Sequence, residues 1–522
     1  MLHRVATLLL VAALISTGCS DGTDAPSVSN AEPTEISASA TEKVPEAAVP
    51  APTQETTPAA VVPETPAEEP APPAIRPAPE ALAFQDCGHV YLCAELEVPA
   101  DHYDSGAGTI TLELGMLPAT DPDNRIGALL VNPGGPGGGF EGFLSGGAGL
   151  SGRLLARFDL VGWNPRGVSA SLYPDCDDEA KDLQVIGALS DTPENEAVIS
   201  EVARQTAEAC LAGLNGRADL ISTVQTVHDM DLIRQALGEE QISFLGYSYG
   251  TVLGQFYADR YGTNARAVVI DGVLDVSLTH EDVLVEQIRG FARVIDEVFD
   301  SCLQDAACPI VGNPRSAYLQ LLASVEADPL LDALGNVLVG PGEVQLALVT
   351  ISYLPAEYWS IFFEAFARAW EGDGQQMHDL AQSYLGAADL GSFFGISCTD
   401  GGRMSEDDLD RLIERMVEEA GEFGRAAAAE ARMCVYWPDT DTRPNKPIRA
   451  PDAASVLVIG NRGDNATPYE WAVSAAESLE TGVLLTYNGT GHTSYGLHQC
   501  VDDVVDAYLI DLSVPSGDIE CG

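Results

Sequence analysis

Gln241-Ile242-Ser243-Phe244-Leu245-Gly246-Tyr247-Ser248-Tyr249-Gly250-Thr251 is the stretch that decides the fold. A short apolar run leads into Gly246, and residues 251–260 continue with helical spacing. Strand, tight turn and helix in that order give the pattern Gly-x-Ser-x-Gly its chemical meaning. The turn is sharp, so small residues must flank the serine. Gly246 and Gly250 let strand and helix approach with no Cβ between them. Ser248 is then expected above the carboxyl end of a sheet, at the start of a helix, where its hydroxyl can act as a nucleophile.

A serine hydroxyl is a weak nucleophile and needs a base, which in turn needs an orienting acid. Behind such an elbow the chain order is Ser, then Asp or Glu, then His. The apolar run 456–459 is followed by Gly460-Asn461-Arg462-Gly463-Asp464-Asn465-Ala466-Thr467-Pro468, which offers Asp464 as the loop carboxylate. The run 483–486 is followed by Asn488-Gly489-Thr490-Gly491-His492, which offers His492 as the base. Asp271, after the strand that follows the elbow, is a rival acid. Asp400, in Cys398-Thr399-Asp400-Gly401, reads as a turn residue. His498 is a rival base, at the apparent start of a helix. His89, His102, His228, His280 and His378 read as surface or packing residues.

The run 126–131 ends in Asn132-Pro133-Gly134-Gly135-Pro136-Gly137-Gly138-Gly139. Five glycines after Pro133 have no use in a core. They suit a loop whose N–H groups approach a substrate oxygen. The second such donor is expected from the Tyr249 N–H, next to the nucleophile. A phosphate cradle is the alternative, but no lysine follows in P-loop fashion.

Working outward, residues 158–161, 242–245, 267–270, 456–459 and 483–486 are short apolar runs, as in strands buried on both faces of a parallel sheet. Residues 91–98 and 109–116 alternate apolar and polar, like half-exposed antiparallel strands. Helical patterns at 226–237 and 251–260 fall between strands, so the class is α/β with a mostly parallel, doubly wound sheet. From 276 to 450 the pattern is mainly helical (281–302, 317–325, 357–370 and 406–434) before strands resume. The expected organisation is a signal segment 1–18, a tether 19–80, an α/β core 81–275, a helical cap 276–450, and the rest of the core 451–522.

The termini and composition speak to location. Arg4 and an apolar run over 5–15 form an export signal that ends in Ser16-Thr17-Gly18-Cys19. That ending is similar to a bacterial lipobox, with Cys19 as the lipidated residue and ordinary signal cleavage as the alternative. Residues 20–80 hold 13 of the 32 prolines and no aromatic residue. They cannot bury enough apolar area to offset ordering, and they read as a disordered Pro/Ala tether. The 522 residues carry a formal charge of -53. Such a surface repels nucleic-acid phosphates, so nucleic acid is excluded as a partner.

Of 11 cysteines, Cys19 apart, an even ten remain, as in an oxidising compartment. Their clustering suggests the pairs Cys87–Cys93, Cys176–Cys210, Cys302–Cys308, Cys398–Cys434 and Cys500–Cys521. Spacing alone leaves the connectivity open. No CxxC occurs and no zinc-type spacing of Cys and His is present, so neither a metal nor an organic cofactor is expected.

With these motifs in hand, the sequence resembles α/β-hydrolases of the secreted tripeptidyl aminopeptidase group, related to proline iminopeptidases and actinobacterial cell-envelope serine hydrolases. The resemblance is carried by 132–137, by Phe158-Asp159-Leu160-Val161-Gly162-Trp163-Asn164-Pro165-Arg166-Gly167, by 246–250, by 463–468 and by Gly491-His492. It covers about 85–522, loosely in the cap. It implies an α/β-hydrolase fold, a triad of Ser248, Asp464 and His492, and Gly135 as an oxyanion donor. It also implies aminopeptidase action on short peptides, and together with the lipobox-like ending at Cys19 the expectation is a lipid-tethered extracytoplasmic enzyme. An esterase or lipase with the same triad, and a non-catalytic envelope binding protein, are the other readings. Cap carboxylates Glu281, Glu286, Glu357 and Glu364 are candidates for receiving a substrate's amino terminus.

Overall fold

The structure is a computed structural model that describes residues 79–522 apart from 147–148, 169–171, 441–442 and 515–516. The signal segment, Cys19 and nearly all of the tether lie outside the described residues. Twelve strands follow in chain order: β1 (Gln85–Asp86), β2 (Leu92–Pro99), β3 (Thr109–Leu117), β4 (Gly127–Asn132), β5 (Phe158–Trp163), β6 (Ile242–Tyr247), β7 (Ala265–Asp271), β8 (Leu330–Leu331), β9 (Val337–Val339), β10 (Val456–Gly463), β11 (Gly482–Thr490) and β12 (Ile519–Cys521). Ten of them form one sheet in the order β1-β2-β3-β5-β4-β6-β7-β10-β11-β12. β1, β2, β3 and β5 pair antiparallel. From β5 through β4, β6, β7, β10 and β11 to β12 every pairing is parallel.

The apolar runs are continuous because both sheet faces are covered. Val268 and Ile270 point into one core with the helices Thr223–Ala236, Gly250–Tyr261 and Tyr469–Ser478. Their neighbours Ala267 and Val269 point into another, with Phe140–Ser145 and Gln499–Asp511. The same period of two divides Val456 and Val458 from Leu457 and Ile459. Each valine, leucine or isoleucine among them, taken out of water, contributes about 1.5–3 kcal/mol.

The cap has its own apolar core. Helices His280–Gln304, Pro341–Ser352, Ser360–Trp370 and Leu390–Gly401 meet there with Ala429–Cys434. The helices Asp177–Ile186 and Pro193–Gly213, between β5 and β6, contribute Leu183, Ile199 and Ala203 to that same core. The cap is therefore built from two segments of chain, one of which falls in the stretch 81–275 read from sequence as core. Its apolar helix faces have no room against the sheet, which is already covered on both sides. Five disulfides bond Cys87 to Cys93, Cys176 to Cys210, Cys302 to Cys308, Cys398 to Cys434 and Cys500 to Cys521. The architecture is an α/β-hydrolase fold with a helical insertion. Among the described residues, no helix is long and apolar enough to cross a membrane.

Candidate active site

Parallel strands end on one edge of the sheet, and the predicted site residues sit on that edge. β4 ends at Asn132, beside Gly246 of β6. Tyr247, the last residue of β6, pairs with Asp271, the last of β7, and Ile459 of β10 also pairs with Asp271. Gly463 of β10 pairs with Thr490 of β11. The glycine loop, Ser248, Asp464 and His492 each follow directly from one of these strand ends.

Ser248 has φ +53°, in the left-handed region that a β-carbon disfavours. The Ser248 N–H donates to the Asp271 carbonyl at 2.9 Å, and Thr251 N–H donates to the Ser248 carbonyl at 2.8 Å. These bonds fix the elbow from both sides. A Cβ on Gly246 would lie 2.3 Å from the Gly250 carbonyl oxygen, which explains why that position holds glycine.

Asp464 is fully buried. Its Oδ1 accepts from the N–H groups of Ala466 and Thr467, both at 2.9 Å. Its two oxygens lie 2.9 and 3.0 Å from His492 Nδ1. This arrangement holds the imidazole with Nδ1–H toward the carboxylate and Nε2 free to take a proton. Burial works against the imidazolium. The Asp464 charge and hydrogen bond, with help from Asp271, outweigh it and raise the His492 pKa above its ordinary value. His492 N–H donates to the carbonyl of Tyr353 in the cap at 3.1 Å, and the two rings meet edge to face.

The glycine loop packs directly on the elbow. At Gly134, with φ +93°, an added Cβ would come within 2.9 Å of Ser248 Cβ and 3.1 Å of the Tyr249 nitrogen. Among the described residues, no protein acceptor takes the N–H of Gly135 or of Tyr249. Both residues and Ser248 line one cavity of ≈ 170 Å³, roofed by Phe291, Tyr353 and Phe393 of the cap. Free donors beside a nucleophile can stabilise negative charge that develops on a carbonyl oxygen.

The rivals have other work. Asp271 Oδ2 accepts from Ser494 and Tyr495 N–H at 2.9 and 2.7 Å, so it anchors the loop that follows His492. His498 stacks on Tyr487, and burial lowers its pKa. Asp400 lies within the helix Leu390–Gly401 rather than in a turn, and accepts from the Thr223 N–H at 2.9 Å and from the Thr223 hydroxyl. It lines the cavity, as do Phe393, Ser397 and Gly401 of the same helix.

Glu281, Glu286, Glu357 and Glu364 do not line the cavity. Glu286 accepts from Trp471 Nε1, and Glu357 and Glu364 are exposed. Glu430 and Arg443, unnamed in the sequence reading, and His280, read there as a surface or packing residue, all line it. Burial, then Arg443, pushes the His280 imidazole down to about 4. The signal for Glu430 was available: it is one carboxylate in the alanine run 426–431. Among the described residues, no cluster of three or more His, Cys, Asp or Glu is placed to hold a metal.

The chain is similar to known hydrolases and peptidases. Residues 419–521 match the family model described as TAP-like protein. The chain is 30% identical over 461 residues to serine protease Hip1 of Mycobacterium tuberculosis, covering 82% of this chain and 87% of the relative. It is 30% identical over 453 residues to carboxylesterase B of the same organism, covering 82% and 86%. It is 28% identical over 479 residues to tripeptidyl aminopeptidase of Streptomyces lividans, covering 86% and 88%. Among solved structures, proline iminopeptidase of Mycobacterium smegmatis is similar at 15% identity and a TM-score of 0.32, over 77% of this chain and 94% of that one.

Proposed function

This chain belongs to the α/β-hydrolase family of serine protease Hip1 and carboxylesterase B, and from that premise we propose that it is an extracytoplasmic aminopeptidase releasing short peptides from free amino termini. Ser248 Oγ attacks the scissile carbonyl while His492 Nε2 takes its proton. Asp464 holds the imidazole tautomer and stabilises the imidazolium. The Gly135 and Tyr249 N–H groups receive the oxyanion of the tetrahedral intermediate. His492 then protonates the leaving amine, and water attacks the acyl-enzyme by the same route in reverse.

The observation that carries the exopeptidase reading is the cap-roofed cavity above Ser248. Such a space accommodates the end of a peptide in preference to its middle. The relative named tripeptidyl aminopeptidase supports the same class. The relative named carboxylesterase B favours ester hydrolysis with the same residues as the second reading.

A tripeptide p-nitroanilide should be compared with its N-acetylated form and with a short acyl ester. Acetylation removes a charge and leaves its buried partner unpaired, at a cost of about 2 kcal/mol or roughly thirtyfold in kcat/KM. Equal cleavage of blocked peptide or simple ester would replace the aminopeptidase with an esterase or endopeptidase. Ser248→Ala should abolish both activities. The five disulfides and the export signal support a location outside the cytoplasm. Cys19→Ser should free the protein from membranes, and undiminished membrane association would refute the lipid anchor.

A further inference from the structure

Two carboxylates line the cavity, Asp400 and Glu430. Asp400 is engaged by Thr223 and lies in the field of Arg443. Glu430 has no such partner. Among the described residues, its carboxylate makes no hydrogen bond and no ion pair. The basic residues near it in sequence are committed elsewhere: Arg425 pairs with Glu196 and Glu422, and Arg432 with Glu196. The residue keeps part of its surface, and that surface faces the cavity. Its carboxyl is otherwise enclosed by protein, and burial alone pushes it up to about 7.

The position is close to the chemistry. Glu430 shares the cavity lining with Tyr353 and Tyr384, whose rings lie 6.4 Å apart. Tyr353 is the residue whose ring edge and carbonyl meet His492. The helix Ala429–Cys434 that carries Glu430 is tied to Leu390–Gly401 by the Cys398–Cys434 bond and to Glu196 through Arg432. A carboxyl desolvated in a cavity without a counter-ion relieves the cost by taking a proton, and a cation that arrives favours its ionised form. Uncharged phenols are the neighbours on one side and the cavity is on the other; Arg443, the cation that also lines the cavity, acts on Asp400 and His280 and not on Glu430, so a compensating cation is one that a ligand brings.

We infer that Glu430 is the specificity residue that receives a primary ammonium of the substrate, the α-amino terminus of the peptide. This rests on the aminopeptidase reading and names the group that enforces it. A peptide bound there has its ammonium on Glu430 and a nearby carbonyl over Ser248. A tight charge-assisted pair forms only when the terminus is free. A lysine side chain carries the same chemistry, and the test separates the two sources.

The test uses the full chain as wild type and as Glu430→Gln. Three substrates are compared: a tripeptide p-nitroanilide with a free amino terminus, its N-acetyl form, and an N-acetyl tripeptide with lysine at its first position. Labelling of Ser248 by a fluorophosphonate reports that each protein is folded. The wild type is expected to prefer the free terminus. In Glu430→Gln that preference should shrink at least tenfold, mostly through KM, with labelling retained. A variant that labels normally and keeps the wild-type preference overturns the assignment of Glu430 while leaving the aminopeptidase reading standing. A wild type with no preference overturns that reading itself, and this inference with it. If the N-acetyl lysyl substrate shows the preference and the free terminus does not, the subsite reads a side chain and the α-amino assignment is overturned.

Discussion

Replacing Asp271 by Asn should leave the reaction running and change how stability depends on pH. Asp271 is fully buried, its Oδ2 holds the backbone of Ser494 and Tyr495, and its Oδ1 has no partner among the described residues. Burial pushes its carboxyl up to about 6 from 3.8, against the two N–H donors and His492, which favour the anion. The folded value lies above the unfolded one, so the folded state binds more protons between them. Stability is then highest below the unfolded pKa and falls as pH rises through about 6. A shift of two units corresponds to about 3 kcal/mol lost between pH 4 and pH 8. An Asn keeps a carbonyl oxygen toward Ser494 and Tyr495 and has no such pH dependence. The amide's own desolvation is a constant offset. Calorimetry of both proteins from pH 4 to pH 8 should therefore show the melting difference, variant minus wild type, moving upward by a few degrees, at about 1 °C per kcal/mol for a folded chain of this size. Activity gives the second reading. Asp271→Asn should stay within about tenfold of wild type, whereas Asp464→Asn, which turns an N–H₂ toward His492 Nδ1, should lose about three to four orders of magnitude. A flat melting difference would refute the buried ionisation. A folded Asp271→Asn less active than Asp464→Asn would move the triad acid to Asp271.

The remaining expectations concern the loop, the base and the cap. Gly134→Ala places a Cβ 2.4 Å from the Tyr247 carbonyl oxygen; it should cut kcat by about a hundredfold or more, and unaltered fluorophosphonate labelling would contradict the packing of this loop on the elbow. In the free enzyme kcat/KM should rise with pH through a value above the ordinary imidazole pKa, because His492 must be neutral to act and Asp464 favours its charged form. A midpoint below the ordinary value would contradict that pairing. Replacing both Cys398 and Cys434 by Ser opens a loop of 36 residues between the helices that carry Asp400 and Glu430. It should lower stability by about 4 kcal/mol by loop entropy, and an unchanged denaturation midpoint would show that this link constrains nothing.

The residues legible from the sequence alone are those whose signal is local. A strand buried on both faces needs an unbroken apolar run, and a serine elbow needs glycine on either side. A donor loop needs backbone without side chains. Each requirement falls within ten residues, so Ser248, the glycine loop and the strand ends before Asp464 and His492 could be read directly. The class of sheet followed from the order of those runs.

What the sequence left open depends on contacts between distant segments. Asp271 and Asp464 both follow strands and looked alike. Only the adjacency of β7 and β10, 185 residues apart between Asp271 and Val456, gave one the loop after His492 and the other the imidazole itself. The cap carboxylates were indistinguishable by helical spacing, which says that a side chain shares a face with its neighbours and not what that face meets. Packing turned Glu286 to Trp471, left Glu357 and Glu364 in water, and put Glu430 in the cavity. It also drew Asp177–Ile186 and Pro193–Gly213 into the cap's core, because an apolar helix face goes wherever area remains to be buried, and the sheet had none left. Backbone chemistry is written in neighbouring residues, whereas the environment of a charge is set by whatever the folded chain brings around it.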